Sequence, residues 1–235
     1  METIDCDETQ SEIIESDYNP SILALHGYVT SGQWMIKKLT NKMFNKSMIN
    51  KIISPNGSYV AKLDNVDSDI YGWWPALDRI KLFEPNTYDP IYVSRSLNII
   101  HNITSKYVNI TTLIAFSQGC IFSLILLNKY RDWFPNLKKL ILISPLDIQD
   151  LKFRIGQNEV NQDLRYRIEQ KLIDIDCLII IGEKDTLVPN EESMKVLKYF
   201  KTQPKIVKHK LGHVIPTEAT IKKEISEFLM LNVNS

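Results

Sequence analysis

The sequence has 235 residues, a length that fits one domain able to bury a large share of its apolar side chains in a single core. Its 28 Lys and Arg residues balance 28 Asp and Glu residues, so no basic excess points to nucleic acid or an anionic membrane as a partner. The longest apolar runs are far shorter than the roughly 20 residues that a membrane-spanning helix requires. We therefore expect no nucleic-acid partner and no membrane span, and the sequence leaves the oligomeric state open.

The N-terminal segment and the cysteines indicate a compartment. Residues 1–17 are acidic and polar, which predicts a loosely ordered tail ahead of one domain over residues 18–235. This tail lacks the basic start and the apolar segment of a secretory signal. Three cysteines, an odd number spread far apart, fit neither a disulfide framework nor a zinc site. These features favour a cytoplasmic protein.

Short apolar runs alternate with amphipathic segments in chain order. Six runs predict buried strands at residues 21–26, 51–54, 109–116, 138–144, 176–181 and 204–209. Five segments predict helices at residues 32–45, 91–106, 118–134, 191–200 and 217–231. Continuous apolar runs are typical of parallel strands buried on both faces, and alternation with helices implies right-handed crossovers. The sequence therefore predicts a doubly wound, mostly parallel α/β sheet flanked by helices.

Two regions interrupt this alternation. Residues 55–90 are rich in Gly, Pro and aromatic residues without a sustained period, which predicts one long connection of a kind that is usually functional. Residues 146–170 are polar and mostly compatible with helix. They predict either a small lid or a longer crossover.

The strongest chemical signal is the segment Ala115-Phe116-Ser117-Gln118-Gly119, which follows an apolar strand and opens an apolar helix. It resembles the nucleophile elbow G-x-S-x-G, in which small neighbours let a strained turn expose the serine hydroxyl. Ala115 replaces the first glycine. Serine at this place could also simply cap the helix, and the motif alone leaves both interpretations open.

A second segment, GEKDTLVP at residues 182–189, directly follows a buried strand. Asp185 in this segment resembles the acid of an α/β-hydrolase triad, which orients the catalytic histidine. The alternatives are that Asp185 only caps a turn, or that the acid is Glu183 or Asp147.

A third segment, LGHVIP at residues 211–216, follows the last predicted strand. Its His213 completes the order Ser, Asp, His that is expected of the α/β-hydrolase fold. A histidine here could take the proton of the serine hydroxyl and return it to the leaving group. We interpret His101 and His209 as packing or surface residues.

A tight turn follows the first strand, in the segment LHGYVTSG at residues 25–32. We expect the backbone N–H groups of Tyr28 and Gln118 to face a developing oxyanion. His26 is interpreted as a buried structural residue that shapes the turn. Cys120, inside the predicted elbow helix, is interpreted as a small core residue.

Together, the runs LALHGYVTSGQWMIKKL, AFSQG, GEKDTLVP and GHVIP resemble the FSH family of serine hydrolases, which includes fungal and animal carboxylesterases. The resemblance extends from about Ile22 to the final helix. It implies an α/β-hydrolase fold and cleavage of carboxylic esters or thioesters of acyl chains, with no metal site and no organic cofactor. Ala115 and the pair Leu211-Gly212, where a second glycine is common, depart from the family pattern.

The resemblance also concerns Trp73 and Trp74, because the family often carries an aromatic cluster in its long loop. The two side chains could line a groove for an acyl chain or anchor the loop onto the core. The alternatives to an esterase are a lipase or peptidase of the same fold, or a non-catalytic binding module.

Overall fold

The computed structural model describes residues 18–44, 50–61, 70–75, 90–147 and 172–230. The predicted tail at 1–17 lies outside these ranges, as does the predicted lid or crossover apart from its first two residues. The strands are β1 (Ile22–Leu25), β2 (Ile52–Ile53), β3 (Tyr59–Ala61), β4 (Ile70–Gly72), β5 (Thr112–Phe116), β6 (Lys139–Ile143), β7 (Asp176–Gly182) and β8 (Lys205–His209). The α-helices are α1 (Gly32–Lys42), α2 (Pro90–Lys106), α3 (Gln118–Lys129), α4 (Asn190–Lys195) and α5 (Ala219–Met230). Short 3₁₀ turns at Arg131–Trp133 and Val196–Tyr199 follow α3 and α4.

Six strands form one parallel sheet in the order β2-β1-β5-β6-β7-β8. Each of them lies at a position where the sequence predicts a strand. The chain winds outward from β1 to one edge and then, from β5 to β8, toward the other edge. The prediction of a doubly wound, mostly parallel sheet is therefore confirmed.

Two apolar cores cover the two faces of this sheet, because successive strand side chains point to opposite sides. In β1, for example, Leu23 and Leu25 belong to one core, while Ile22 and Ala24 belong to the other. Helices α2 and α3 and the 3₁₀ turn Val196–Tyr199 lie over the first core, and α1 and α5 cover the second. Helix α3 is buried from Gln118 to Asn128, which is why its sequence is apolar on all sides.

The start of α1 is held in two ways. The Ser31 hydroxyl accepts a hydrogen bond from the Trp34 N–H at 3.1 Å, which caps the helix. A Cβ atom at Gly32 would lie 1.9 Å from the Ser54 carbonyl oxygen. Any larger residue at this position would therefore push the helix away from the chain after β2. These contacts fix the direction in which α1 leaves the sheet.

The region at 55–90 contains regular structure that the sequence did not predict. Strands β3 and β4 pair in an antiparallel two-stranded sheet. Each strand has three residues, too few for a period of two to be recognised in the sequence. A bridge between Thr30 and Tyr71 joins this small sheet to the turn after β1. Within the described ranges, every helix is too short or too polar to cross a lipid bilayer.

The two tryptophans after β4 lie in the core, which favours the interpretation that they anchor the loop over the alternative that they line a groove for an acyl chain. Trp73 is 0% exposed and Trp74 is 2% exposed. The Trp73 ring stacks on Phe122 of α3 at 4.7 Å between centroids, and its Nε1–H donates to the carbonyl oxygen of His26 at 2.8 Å. Both residues therefore anchor their loop against the sheet.

We predict that Trp73→Ala lowers the free energy of unfolding by about 3 to 5 kcal/mol, the usual cost of truncating a large buried aromatic side chain. The half-buried Trp133 provides a matched control, and Trp133→Ala should cost clearly less. Urea unfolding monitored by circular dichroism measures both changes. Equal losses for the two variants would contradict the anchoring role of Trp73.

Candidate active site

Ser117 lies in a strained turn between β5 and α3. Its φ of 52° and ψ of −116° place a non-glycine residue at positive φ, a conformation that persists only where the surrounding structure enforces it. Its N–H donates to the Ile143 carbonyl oxygen at 3.0 Å. Its side chain forms no capping hydrogen bond with α3, so the structure does not favour the interpretation of Ser117 as a helix cap.

Small residues allow this turn. A Cβ atom at Gly119 would lie 2.4 Å from the Leu25 carbonyl oxygen and 2.7 Å from that of His26. Ala115 is fully buried in the sheet, with Leu25 and Leu142 as its register partners. A glycine is therefore required two residues after Ser117, whereas the methyl group of Ala115 is accommodated two residues before it.

His213 follows β8 and contacts both other residues of the predicted triad. Its Nε2 atom lies 2.9 Å from Ser117 Oγ, and its Nδ1 atom lies 2.7 Å from Asp185 Oδ2. The loops that carry the two partners are joined by a hydrogen bond from the Lys184 N–H to the Leu211 carbonyl oxygen at 3.2 Å. The three side chains thus form one continuous hydrogen-bonded chain.

The Asp185 carboxylate is held by several donors. Oδ1 accepts from the N–H groups of Leu187 and Val188 at 3.0 and 2.8 Å, and Oδ2 accepts from the Ser144 hydroxyl at 2.9 Å. Burial alone would raise the pKa of Asp185, but the bond to His213 and these donors together hold that pKa below its ordinary value. The carboxylate therefore stays ionised beside the imidazole.

Sequence reasoning did not identify Ser144. This residue directly follows β6 and has a φ of 49°, and its hydroxyl fixes the carboxylate oxygen that faces His213. A signal was available, because a polar residue directly after a buried strand lies at the same edge of a parallel sheet as the ends of the neighbouring strands.

The structure distinguishes Asp185 from Asp147 and Glu183, the two other candidates for the acid. Asp147 accepts hydrogen bonds from Tyr199 Oη and, at 2.6 Å, from Lys198 Nζ, so its carboxylate serves the contact with the segment after α4. Glu183 is exposed, and its N–H extends the sheet pairing to the His209 carbonyl oxygen at 2.8 Å. Of the three carboxylates, Asp185 is the one that the fold brings to His213.

Tyr28 and Gln118, the two residues predicted to donate backbone hydrogen bonds to an oxyanion, lie on the chain after β1 and at the start of α3. Gln118 is the first residue of α3, where N–H groups have no partner within the helix. Its side chain is occupied elsewhere, accepting from the Trp73 N–H at 2.9 Å and donating to the Trp74 carbonyl oxygen at 3.0 Å. Tyr28, in the turn after β1, lines the same cavity as Ser117.

His26 is buried and neutral. Its Nε2 atom accepts a hydrogen bond from the Gly57 N–H at 2.9 Å, which requires the ring proton to be on Nδ1. That nitrogen lies 2.7 Å from the Gly27 carbonyl oxygen, to which it donates. Burial lowers the pKa of His26 from 6.5 to about 4. These contacts fit the interpretation of His26 as a structural residue that shapes the turn.

Cys120 also fits its interpretation as a core residue. The side chain is 0% exposed, and Sγ donates to the Ile143 carbonyl oxygen at 3.3 Å. Burial raises the pKa of this thiol well above its usual range. Cys120 is therefore held as an unreactive thiol behind Ser117.

A cavity of about 450 Å³ opens above Ser117. Its lining is mainly aliphatic and aromatic and includes Tyr28, Val29, Thr30, Trp34, Lys38, Phe116, Ser117, Leu187, Leu211, His213, Val214, Ile215 and Thr217. Neither Trp73 nor Trp74 is among these described lining residues. The cavity can hold an apolar molecule with a reactive carbonyl group beside Ser117.

Comparison with known proteins gives consistent matches over most of the chain. The sequence profile of the serine hydrolase (FSH1) family matches residues 16–225. An esterase of Aedes aegypti is 25% identical over 225 residues, 92% of this chain and 77% of that protein. Among solved structures, esterase PE8 has a TM-score of 0.59 at 20% identity, with 91% of this chain and 93% of the other covered. Zea mays acyl-protein thioesterase 2 has a TM-score of 0.58 at 18% identity, with 92% and 94% covered. These two structures share the fold.

Because the folded protein keeps His26 neutral, its free energy of unfolding depends on pH. Above pH 6.5 the histidine is neutral in both the folded and the unfolded chain, but between pH 6.5 and about 4 only the unfolded chain takes up the proton. Since one pKa unit corresponds to about 1.4 kcal/mol, the folded protein should lose about 3 kcal/mol over this range through His26.

His26→Gln keeps an acceptor for the Gly57 N–H and removes the titration. We therefore expect the stability advantage of the wild type over His26→Gln to shrink by about 3 kcal/mol between pH 7.5 and pH 4. Urea unfolding at the two pH values measures it. A constant difference between the two proteins would show that His26 does not titrate in this way.

Proposed function

The chain belongs to the serine hydrolase (FSH1) family, and from this premise we propose that it cleaves carboxylic esters or thioesters of acyl chains through an acyl-enzyme on Ser117. The observation that carries the proposal is the hydrogen-bonded chain from Ser117 through His213 to Asp185, which lies at the base of an apolar cavity. A nucleophile, a base and an orienting acid in this contact are what acyl transfer requires.

In the acylation step, Ser117 Oγ attacks the carbonyl carbon while its proton passes to His213 Nε2, 2.9 Å away. The bond from Nδ1–H to Asp185 keeps the Nε2 lone pair directed at the serine, and the ionised carboxylate stabilises the imidazolium that forms. Ser144 and the two backbone donors hold the carboxylate in place, so it need not reorganise during the reaction.

The negative charge of the tetrahedral intermediate develops on the former carbonyl oxygen. In this proposal the backbone N–H groups of Tyr28 and Gln118 donate hydrogen bonds to that oxygen and stabilise its charge. The intermediate collapses when the bond to the alcohol or thiol breaks and the leaving group takes the proton from His213. Water then attacks the acyl-enzyme with His213 again as base, which releases the carboxylic acid and restores Ser117.

The cavity supports an acyl substrate. Phe116, Leu187, Leu211 and Ile215 offer apolar surface beside the nucleophile, and burial of each methylene of a chain against such a surface contributes about 0.8 kcal/mol. A series of p-nitrophenyl esters from acetate to palmitate would therefore show which chain length the cavity accepts. Peptide and triacylglycerol substrates test the peptidase and lipase alternatives.

We predict that Ser117→Ala lowers the turnover of p-nitrophenyl esters by about a millionfold, as removal of a catalytic nucleophile does in serine hydrolases. Labelling by a fluorophosphonate probe should also be lost. The fold should persist, because the hydroxyl faces the cavity and does not cap α3. Substantial activity in a folded Ser117→Ala protein would refute the proposal.

The acid can be tested separately. Asp185→Asn should lower kcat by about ten-thousandfold, because an amide can neither fix the productive tautomer of His213 nor stabilise the imidazolium. Glu183→Gln, an exposed neighbour on the same loop, is the matched control and should leave kcat nearly unchanged. Asp147→Asn should lower the melting temperature through its contacts with Lys198 and Tyr199 while sparing turnover per folded molecule. The assignment fails if Asp147→Asn reduces turnover more than Asp185→Asn.

A further inference from the structure

Helix α1 places a cation in the wall of the cavity. Trp34 and Lys38 are four residues apart on α1, so their side chains lie on the same face of the helix. Both line the cavity that contains Ser117 and His213. The cap at Ser31 and the close approach of Gly32 to Ser54 fix the helix start, and this fixes the direction of both side chains.

The Lys38 side chain is oriented by the ring beneath it. Its Nζ atom lies 5.3 Å from the centroid of the Trp34 ring, within the range of a cation–π interaction. Its side chain is half-buried. The ammonium group is therefore held over the aromatic wall of the cavity. Without this contact the long side chain of Lys38 would move more freely.

A row of aromatic rings connects this ammonium group to the catalytic histidine. The Trp34 ring stacks on Phe116 at 5.9 Å between centroids, and Phe116 lies 5.0 Å from the His213 ring. Each of these residues lines the cavity. One arm of a bound ester can therefore extend from the reacting carbonyl along Phe116 and Trp34 to Lys38.

The side of the cavity that Lys38 lines carries a positive charge. Among the described lining residues none is acidic, and Lys38 is the single Lys or Arg. None of the ion pairs between described residues involves Lys38. The opposite side of the cavity is aliphatic, and Leu187, Leu211 and Val214 remain 40 to 45% exposed there. The two sides of the cavity therefore suit an ester whose two arms differ in polarity.

We propose that Lys38 makes this enzyme selective for esters and thioesters that carry a carboxylate at the end of one arm, remote from the scissile bond. The inference rests on the proposed function and adds a substrate class to it. The apolar part of that arm lies against Phe116 and Trp34, and its carboxylate pairs with the ammonium group. The other, uncharged arm lies against the aliphatic side.

The physical reason is the desolvation of the carboxylate. An anion that enters an apolar cavity loses hydration, and it needs an opposite charge in compensation. Lys38 supplies that charge equally in the bound substrate and in the transition state, because it lies away from the reacting atoms. Its loss should therefore raise KM for the anionic substrate and leave kcat nearly unchanged.

The test uses two pairs of substrates, each an acid and its methyl ester, so that the partners differ in one remote charge and one methyl group. One pair is p-nitrophenyl hydrogen suberate and its methyl ester, which place the carboxylate on the acyl side. The other is p-octanoyloxybenzoate and its methyl ester, which place it on the alcohol side. For each protein the ratio of kcat/KM between the anionic and the neutral partner is measured, so differences in intrinsic reactivity cancel when variants are compared with the wild type.

We expect Lys38→Met to lower this ratio by about threefold to tenfold for one of the two pairs, through KM. Lys38→Arg should retain most of the ratio, and added salt should reduce it in the wild type. Lys37→Met is the matched control, because Lys37 is exposed on the same helix and does not line this cavity. It should leave the ratio unchanged.

The proposal is overturned if Lys38→Met changes neither ratio, or if Lys37→Met changes it as much. The neutral methyl esters separate this failure from failure of the proposed function. If the wild type hydrolyses the neutral esters but Lys38 has no effect on the ratios, the substrate class is wrong and the hydrolase mechanism stands. If the wild type hydrolyses none of the four esters, the proposed function itself is wrong.

Discussion

The strained turn at Ser117 is the constraint on which the rest of the site depends. A serine at a φ of 52° is held against a local cost of about 1 to 3 kcal/mol. The surrounding fold supplies the compensation, because α3 starts at the next residue and is buried along nearly its whole length. The close approach of Gly119 to the carbonyl oxygens of Leu25 and His26 fixes α3 on β1. Ser117 thus lines the cavity at the point where the buried helix α3 meets the centre of the sheet.

The parallel sheet then brings the other groups to this point. Strands β5, β6, β7 and β8 are adjacent and run in the same direction, so their carboxyl ends form one edge. The residues that follow them there are Ser117, Ser144, Asp185 and His213. Hydrogen bonds between the loops after β7 and β8 fix the distance from carboxylate to imidazole. The alignment of the hydrogen-bonded chain from Asp185 through His213 to Ser117 therefore depends on the sheet as much as on the individual loops.

Trp73 and Trp74, directly after β4, support Gln118, the residue that follows Ser117. Both tryptophans are buried, and a buried backbone N–H or carbonyl group needs a hydrogen-bond partner. The Gln118 side chain meets this need at Trp73 and Trp74, and the Trp73 indole donates to the His26 carbonyl oxygen. The start of α3 and the turn after β1, the two backbone segments that we propose to stabilise an oxyanion, are thereby both hydrogen-bonded to Trp73. This explains how large aromatic residues near an active site can serve the geometry of that site without touching a substrate.

The sequence by itself determined the six strands, their alternation with helices and the order of the serine, aspartate and histidine segments. These features are local, since an apolar run or a strand-to-helix turn is written in neighbouring residues. Tertiary structure alone decided that Asp185 and not Asp147 meets His213, that Ser144 binds the same carboxylate, and that Trp73 and Trp74 lie in the core. The hydrogen bonds involved join residues 28 to 96 positions apart, so they depend on which strands become neighbours. The sequence did not reveal β3 and β4, because three-residue strands are too short to show a period. It did not reveal the position of Lys38 in the cavity wall either, because the ring and the cavity that this side chain faces depend on how the helix packs.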